Sequence, residues 1–298
     1  MTDSKPRGVY VAALTPVKAD LSPDTAAFVA HCRWLLDQGA NGLAVLGTTG
    51  EANSFSVDER LALLDALADG GIPGHTLLPG TGNCAVPDTV TLTRKALEVG
   101  SAGVVMLPPF YYKNVSDEGL YAYVTEVIKR VGDKRLALYL YNFPQMTTIR
   151  WSPALVGLLL QDFPETIVGL KDSSGDEDYL DTLLERYPGF AVFPSSESLL
   201  LHGMRKGAAG IISATANINA AGCRALYDGC QGEHALDLHK KASAIRAAVA
   251  PFGWIPGVKA ILAAREGKPD WARVRPPLDE LSDQQKTELL AAVEAASA

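Results

Sequence analysis

A short apolar run followed by a longer amphipathic stretch recurs eight times along this chain, at a spacing of about 30 residues, the usual size of a strand-helix unit. The runs cover residues 8–14, 42–46, 75–78, 103–107, 136–141, 166–171, 190–193 and 210–213. Helical patterns follow at 24–38, 57–68, 88–99, 117–131, 153–161, 177–185, 197–206 and 219–229. Apolar strands bounded by Gly and Pro, each leading into a helix, mean a parallel sheet whose outer face is covered. Eight such units close most naturally into a (β/α)₈ TIM barrel. An open doubly wound sheet would usually carry a glycine fingerprint after its first strand, and here Thr15-Pro16-Val17 stands there instead. The expected organisation is a catalytic barrel over residues 1–225 and a helical segment over 226–298 packed on it. The helices of that segment are expected near 233–250, 256–265 and 282–296.

Charge and composition exclude several functions. A net charge of -7 with no run of Lys or Arg argues against nucleic acid and against a basic membrane-surface patch. No uncharged apolar stretch is long enough to span a bilayer, and residues 1–8 have no apolar core that would read as a signal peptide. Cys32, Cys84, Cys223 and Cys230 lack metal-ligand spacing. They read as free thiols in a reducing compartment, so the expected location is cytoplasmic. No His, Asp and Glu cluster reads as a metal site.

Barrel enzymes place their chemistry at the C-terminal ends of the strands, so the polar residues ending each run are the candidates. In 136–141, Leu136, Leu138 and Leu140 share one face while Tyr139 and Tyr141 share the other. Tyr141 therefore stands at the rim, either as a proton donor and acceptor or as an aromatic plug. The run 166–171 ends in Gly169-Leu170-Lys171. A lysine finishing a buried strand must be paired or neutralised. A neutral amine there can attack a carbonyl to form a Schiff base; the other readings are a pair with Asp172 or an escape to solvent. Gly169 shares the lysine's face and leaves space beside it.

Gly47-Thr48-Thr49-Gly50-Glu51 combines two glycines with two hydroxyls, which suits a carboxylate ligand and equally an ordinary turn. Gly80-Thr81-Gly82-Asn83 could cradle an anion or only turn the chain. Pro108-Pro109-Phe110-Tyr111-Tyr112 is an aromatic loop stiffened by prolines, packed inward or used at an interface.

These motifs, in this order, resemble the family containing dihydrodipicolinate synthase, N-acetylneuraminate lyase and the 2-keto-3-deoxy sugar acid aldolases. The resemblance covers about Gly8 to Ile218 and rests on Gly47-Thr48-Thr49-Gly50-Glu51, Tyr141-Asn142-Phe143-Pro144 and Gly169-Leu170-Lys171-Asp172. It implies that Lys171 condenses with the keto carbon of pyruvate or a close 2-oxo acid. It implies that Tyr141 shuttles protons and that Thr48 links Tyr141 to Tyr112, the latter serving a neighbouring subunit's site. Thr49, with Gly50 beside it, would hold the substrate carboxylate, and Ile212 would border the pocket through its carbonyl. The protonated imine is the electron sink, so no metal and no organic cofactor is implied. The implied assembly is a homodimer or homotetramer.

One departure separates the chain from the synthase pattern. Synthases read Tyr-Asn-x-Pro-x-Arg-Thr-Gly, the arginine gripping the carboxylate of the semialdehyde, whereas here Met146 stands at the arginine's place. A thioether cannot form the bidentate charged pair of a guanidinium. Cys84 stands where lysine-inhibited synthases carry asparagine, which weakens a case for lysine feedback. The preferred expectation is a 2-keto-3-deoxy sugar acid aldolase or related dehydratase. The alternatives are a dihydrodipicolinate synthase with another carboxylate anchor, an enzyme for a less polar aldehyde, and a non-catalytic oxo-acid-binding barrel. A phosphate-binding barrel would rest on Gly80-Thr81-Gly82 alone.

Overall fold

Strand β1 (Gly8–Val11) lies between β2 (Gly42–Leu43) and β7 (Gly210–Ser213), all parallel, in the computed structural model, which describes residues 5–297. A second parallel sheet runs in the order β3 (Val104–Met106), β4 (Leu138–Asn142), β5 (Ile167–Asp172) and β6 (Ala191–Pro194). Residues 77–80 join the two sheets: Leu78 and Gly80 donate their N–H groups to the Leu43 and Val45 carbonyls, and Val105 donates to Pro79, each at 2.8 Å. At the opposite seam the Ala209 N–H reaches the Val192 carbonyl at 2.9 Å. Eight staves thus close into the expected (β/α)₈ barrel.

One stave differs from the sequence expectation. The run at 75–78 is displaced: Gly74–Thr76 is a 3₁₀ turn, and residues 77–80 take the barrel position. Pro79 has no N–H to give a ladder, so this stave is held by isolated bridges rather than a continuous strand.

The barrel helices are α1 (Thr25–Asp37), α2 (Val57–Asp69), α3 (Val86–Glu98), α4 (Asp117–Val131), α6 (Pro153–Asp162), α7 (Glu177–Arg186), α8 (Glu197–Arg205) and α9 (Ala216–Asp228), with a short α5 (Pro144–Thr147) after β4. Their starts follow from local chemistry. Asp24, Ser116, Ser152 and Asp176 each accept a first-turn N–H, and Ser56 with Glu59 forms a reciprocal capping box. Side-chain alternation splits the core into layers. Leu138 and Leu140 pack under the helices, while Tyr139 and Tyr141 join Tyr10, Val105, Phe193 and Ile212 inside the barrel.

Beyond the barrel, α10 (Ala235–Val249), α11 (Trp254–Glu266) and α12 (Asp283–Ser297) share a core of Leu14, Ile218, Val249, Val258, Ile261 and Leu289. Leu14 follows β1 and Ile218 lies in α9, so this cluster joins tail to barrel. Among the described residues no single helix is long and apolar enough to cross a membrane. Residues 1–4, half of the segment read as carrying no targeting signal, lie outside the described residues.

Candidate active site

Lys171 is the penultimate residue of β5 and faces the barrel interior, only 4% exposed, with its Nζ 4.1 Å from the centroid of the Tyr141 ring. The neighbouring strand sets that contact, because Tyr141 and Lys171 are register partners across β4 and β5. Asp172 points to the other face. Its carboxylate takes hydrogen bonds from Asn142 Nδ2 (2.8 Å) and Ser174 Oγ (2.9 Å), and burial raises its pKa. Asp172 therefore serves the strand ends and does not pair with Lys171. The space made by Gly169 is also used differently from the expectation: a Cβ there would run into the Tyr139 ring and the Ala191 carbonyl, so the glycine admits Tyr139.

Tyr141 is fixed from behind. Its carbonyl accepts the Trp151 indole N–H at 3.0 Å, while Asn142 Oδ1 accepts the Trp151 backbone N–H at 3.2 Å. Its phenol lies 3.4 Å from Thr48 Oγ1, and Phe143 stacks on its ring at 5.9 Å. Thr48 and Thr49 sit in a turn bracketed by Leu46 and Glu51, both left-handed at φ 54° and 56°. Non-glycine residues held there are strained and persist only when surrounding contacts enforce them. The contacts are visible. Glu51 is buried against Lys259 of α11 and accepts the Arg275 N–H at 2.8 Å. Gly50 gives its carbonyl to Thr15 Oγ1 at 2.9 Å, and a Cβ on it would come within 2.9 Å of the Ala13 carbonyl.

Lys171, Tyr141, Thr48, Thr49 and Ile212 line one cavity of about 330 Å³. Gly50 is not among its lining residues; its part is the close packing that lets the turn form. Tyr112 is not brought there within one chain. It is 74% exposed on the loop before α4, edge-on to Tyr111 at 5.3 Å. Met146 reaches the cavity rim from α5. Among the described residues, no three His, Cys, Asp or Glu side chains are grouped as metal ligands would be.

The sequence reading missed a whole wall of this cavity. Arg246, Gly253, Trp254, Ile255, Pro256 and Leu278 come from the helical tail. Ser173 and Ser195 follow β5 and β6 and could have been found as strand-end hydroxyls. Arg246 carries no such signal, since it sits in a small-residue stretch of α10 far from any strand.

The arrangement supplies an amine for carbonyl attack, a phenol against it for proton transfer, and a hydroxyl to relay that proton. Comparison with known proteins gives the family of the chain. The dihydrodipicolinate synthetase family matches residues 5–296. An uncharacterised DapA-like lyase of Chloroflexus aurantiacus is 34% identical, the match covering 98% of this chain and 97% of that one. The crystal structure of dihydrodipicolinate synthase from Agrobacterium tumefaciens superposes with a TM-score of 0.90 at 31% identity, covering 97% of this chain and 99% of that one. A prophage protein of the same family from E. coli K12, solved in complex with pyruvate, gives 0.88 at 26% identity over 97% and 98% of the two chains.

Proposed function

The chain belongs to the dihydrodipicolinate synthetase family and is a lyase of the Schiff-base, class I aldolase kind; from that premise we propose that Lys171 carries the Schiff base and that the enzyme cleaves a 2-keto-3-deoxy sugar acid to pyruvate and an aldehyde. The observation that carries the reading of Lys171 is its burial against the Tyr141 ring with no carboxylate among the described residues lining the cavity.

The Lys171 amine attacks the C2 carbonyl, and Tyr141 gives its phenolic proton to the carbinolamine hydroxyl, which leaves as water, giving a protonated imine and a phenolate. Tyr141 takes the proton from the C4 hydroxyl, the C3–C4 bond breaks, and its electron pair moves into the imine as an enamine. The aldehyde departs, C3 is reprotonated, and water hydrolyses the imine to pyruvate and the free amine. Thr48, 3.4 Å from the phenol, steadies and relays the proton. Thr49 is the ligand for the C1 carboxylate, with Ile212 bordering the same cavity. A dehydratase shares the imine and differs only in expelling a hydroxyl instead of an aldehyde.

Met146 is what separates this reading from the usual synthase pattern, since it puts a thioether on α5 where that pattern places the arginine that grips the semialdehyde carboxylate. The test is borohydride reduction in the presence of pyruvate with peptide mapping, followed by two assays. A reduced pyruvyl adduct on Lys171 supports the Schiff base, and its absence from folded protein overturns it. Efficient condensation of pyruvate with aspartate semialdehyde overturns the sugar-acid assignment in favour of the synthase.

A further inference from the structure

We propose that Arg246 is the second anion anchor of this site and that the aldehyde half of the substrate ends in a carboxylate. The inference rests on the Schiff base at Lys171 but not on the sugar-acid assignment. Arg246 projects from α10 into the same cavity as Lys171, with its side chain 17% exposed. Its guanidinium is held on two sides. Nη1 donates to Glu197 Oε2 at 3.1 Å, and its Cζ lies 4.2 Å from the centroid of the Trp254 ring.

Glu197 is itself anchored below the cavity. It is buried, and its other carboxylate oxygen accepts from Ser213 Oγ at 2.5 Å and Thr215 Oγ1 at 2.6 Å. This support fixes the plane and direction of the guanidinium without using it up. Of its five N–H donors, one is engaged, and no other acceptor among the described residues takes a hydrogen bond from it. A fork held rigid before the ligand arrives loses little entropy on binding.

The charge of the cavity points the same way. Among the described residues its lining contains two basic side chains, Lys171 and Arg246, and no Asp or Glu, the Glu197 carboxylate lying behind Arg246. Thr48 and Thr49 occupy the end near β1 and β2, whereas Arg246 stands over Glu197 and Ser213 at the ends of β6 and β7. A substrate with one carboxylate at each end, joined by a short chain against Phe143, Met146, Trp254 and Ile255, fits that distribution. The volume of about 330 Å³ lies at the small end of ligand sites. The anchor that α5 lacks at Met146 is thus supplied from α10.

The experiment uses two aldehydes that differ only in their terminal group, glyceraldehyde and tartronate semialdehyde, each condensed with pyruvate by the full-length enzyme. The new bond joins pyruvate C3 to the aldehyde carbon, the alkoxide takes its proton from Tyr141, and hydrolysis returns Lys171. The ratio of kcat/KM for the carboxylated aldehyde to that for the neutral one is the readout. It is expected to exceed one in the wild type and to fall by on the order of 100-fold in Arg246→Met, the usual loss for a truncated charge pair. Arg246→Lys, which keeps a cation beside Glu197 while losing the fork, covers the case in which the methionine variant does not fold, and is expected to lower the ratio by about 10-fold. Glu197→Gln combined with Arg246→Met removes both buried charges. If Arg246 only neutralised Glu197, that double variant would keep the wild-type ratio, which overturns the anchor. An unchanged ratio in either single variant overturns it too, as does an equal loss for both aldehydes. Failure of wild-type protein to form the borohydride-trapped pyruvate adduct overturns the Schiff-base reading and this inference with it.

Discussion

At the scale of single residues, the mechanism proposed around Lys171 separates binding of the first substrate from proton transfer. In that proposal the Tyr141 phenol, 3.4 Å from Thr48 Oγ1, moves a proton at each carbon-carbon step. Tyr141→Phe keeps the ring beside Lys171 and removes only the hydroxyl. Turnover should fall about 10²- to 10⁴-fold, the range for loss of a general acid-base group, while borohydride still traps pyruvate on Lys171. Turnover within a few-fold of wild type would remove Tyr141 from the proton path. A second residue-scale effect lies in His31, buried among Asn217, Trp34 and Trp271. Burial pulls its pKa down to about 4, against a smaller opposing contribution from the Asn217 hydrogen bond. The neutral ring is the folded form, and in the unfolded chain the ring takes a proton near pH 6.5. Stability from this group is therefore present above about 6.5 and is lost as pH falls toward 4, a change of about 3 kcal/mol. Between pH 7 and pH 4 the urea-unfolding free energy of the wild type should drop by about that much more than that of His31→Gln. Parallel curves for the two proteins would sink the assignment.

At the scale of elements, the turn carrying Thr48 and Thr49 is strained at both ends and tied to α11 through the buried Glu51–Lys259 pair. Burial lowers the Lys259 pKa, and Glu51 counters it. Lys259→Met leaves the Glu51 carboxylate buried with only the Arg275 N–H, which should cost about 3–5 kcal/mol. The double variant Glu51→Gln with Lys259→Met should recover most of that in a thermal melt, because no unpaired charge remains. No recovery would mean that the pair holds the turn by geometry rather than by charge balance. The same elements show what the sequence could and could not reveal. The strand-helix alternation was legible because period-2 and period-3.6 patterns are local, and the shared face of Tyr139 and Tyr141, opposite Leu138 and Leu140, followed from it. Two details depended on packing instead. Pro79 broke one stave and shifted it to residues 77–80, and the room beside Gly169 went to Tyr139 rather than to Lys171. Arg246 and Trp254 were invisible for the same reason: only the folding of the tail over the barrel rim brings α10 and α11 to the site.

For the whole molecule, one chain makes most of a site but leaves an aromatic pair outside it. Tyr111 and Tyr112 are 72% and 74% exposed, large apolar surfaces that a neighbouring subunit would cover. The loop bearing them is nonetheless ordered from within. Lys113 Nζ donates to the Phe110 carbonyl at 2.5 Å and to that of Thr147 at 3.3 Å, tying the loop to the end of α5. A preformed projection of this kind suits insertion into a second copy, where the Tyr112 hydroxyl would reach Thr48 and extend the chain from Tyr141. Sites shared across a two-fold interface make a sharp prediction. Tyr112→Phe should lower turnover and leave the oligomer intact by sedimentation. Lys171→Ala should be inactive. In a mixed dimer of the two, one site combines Lys171 of one subunit with Tyr112 of the other and is whole, while the other site lacks both. Unfolding and refolding an equal mixture should therefore restore about one quarter of wild-type activity, since about half the dimers are mixed and each has one intact site. Activity equal to the average of the two separate variants would place Tyr112 in its own chain's site or outside the mechanism, because only a shared site lets two impaired chains make one competent centre.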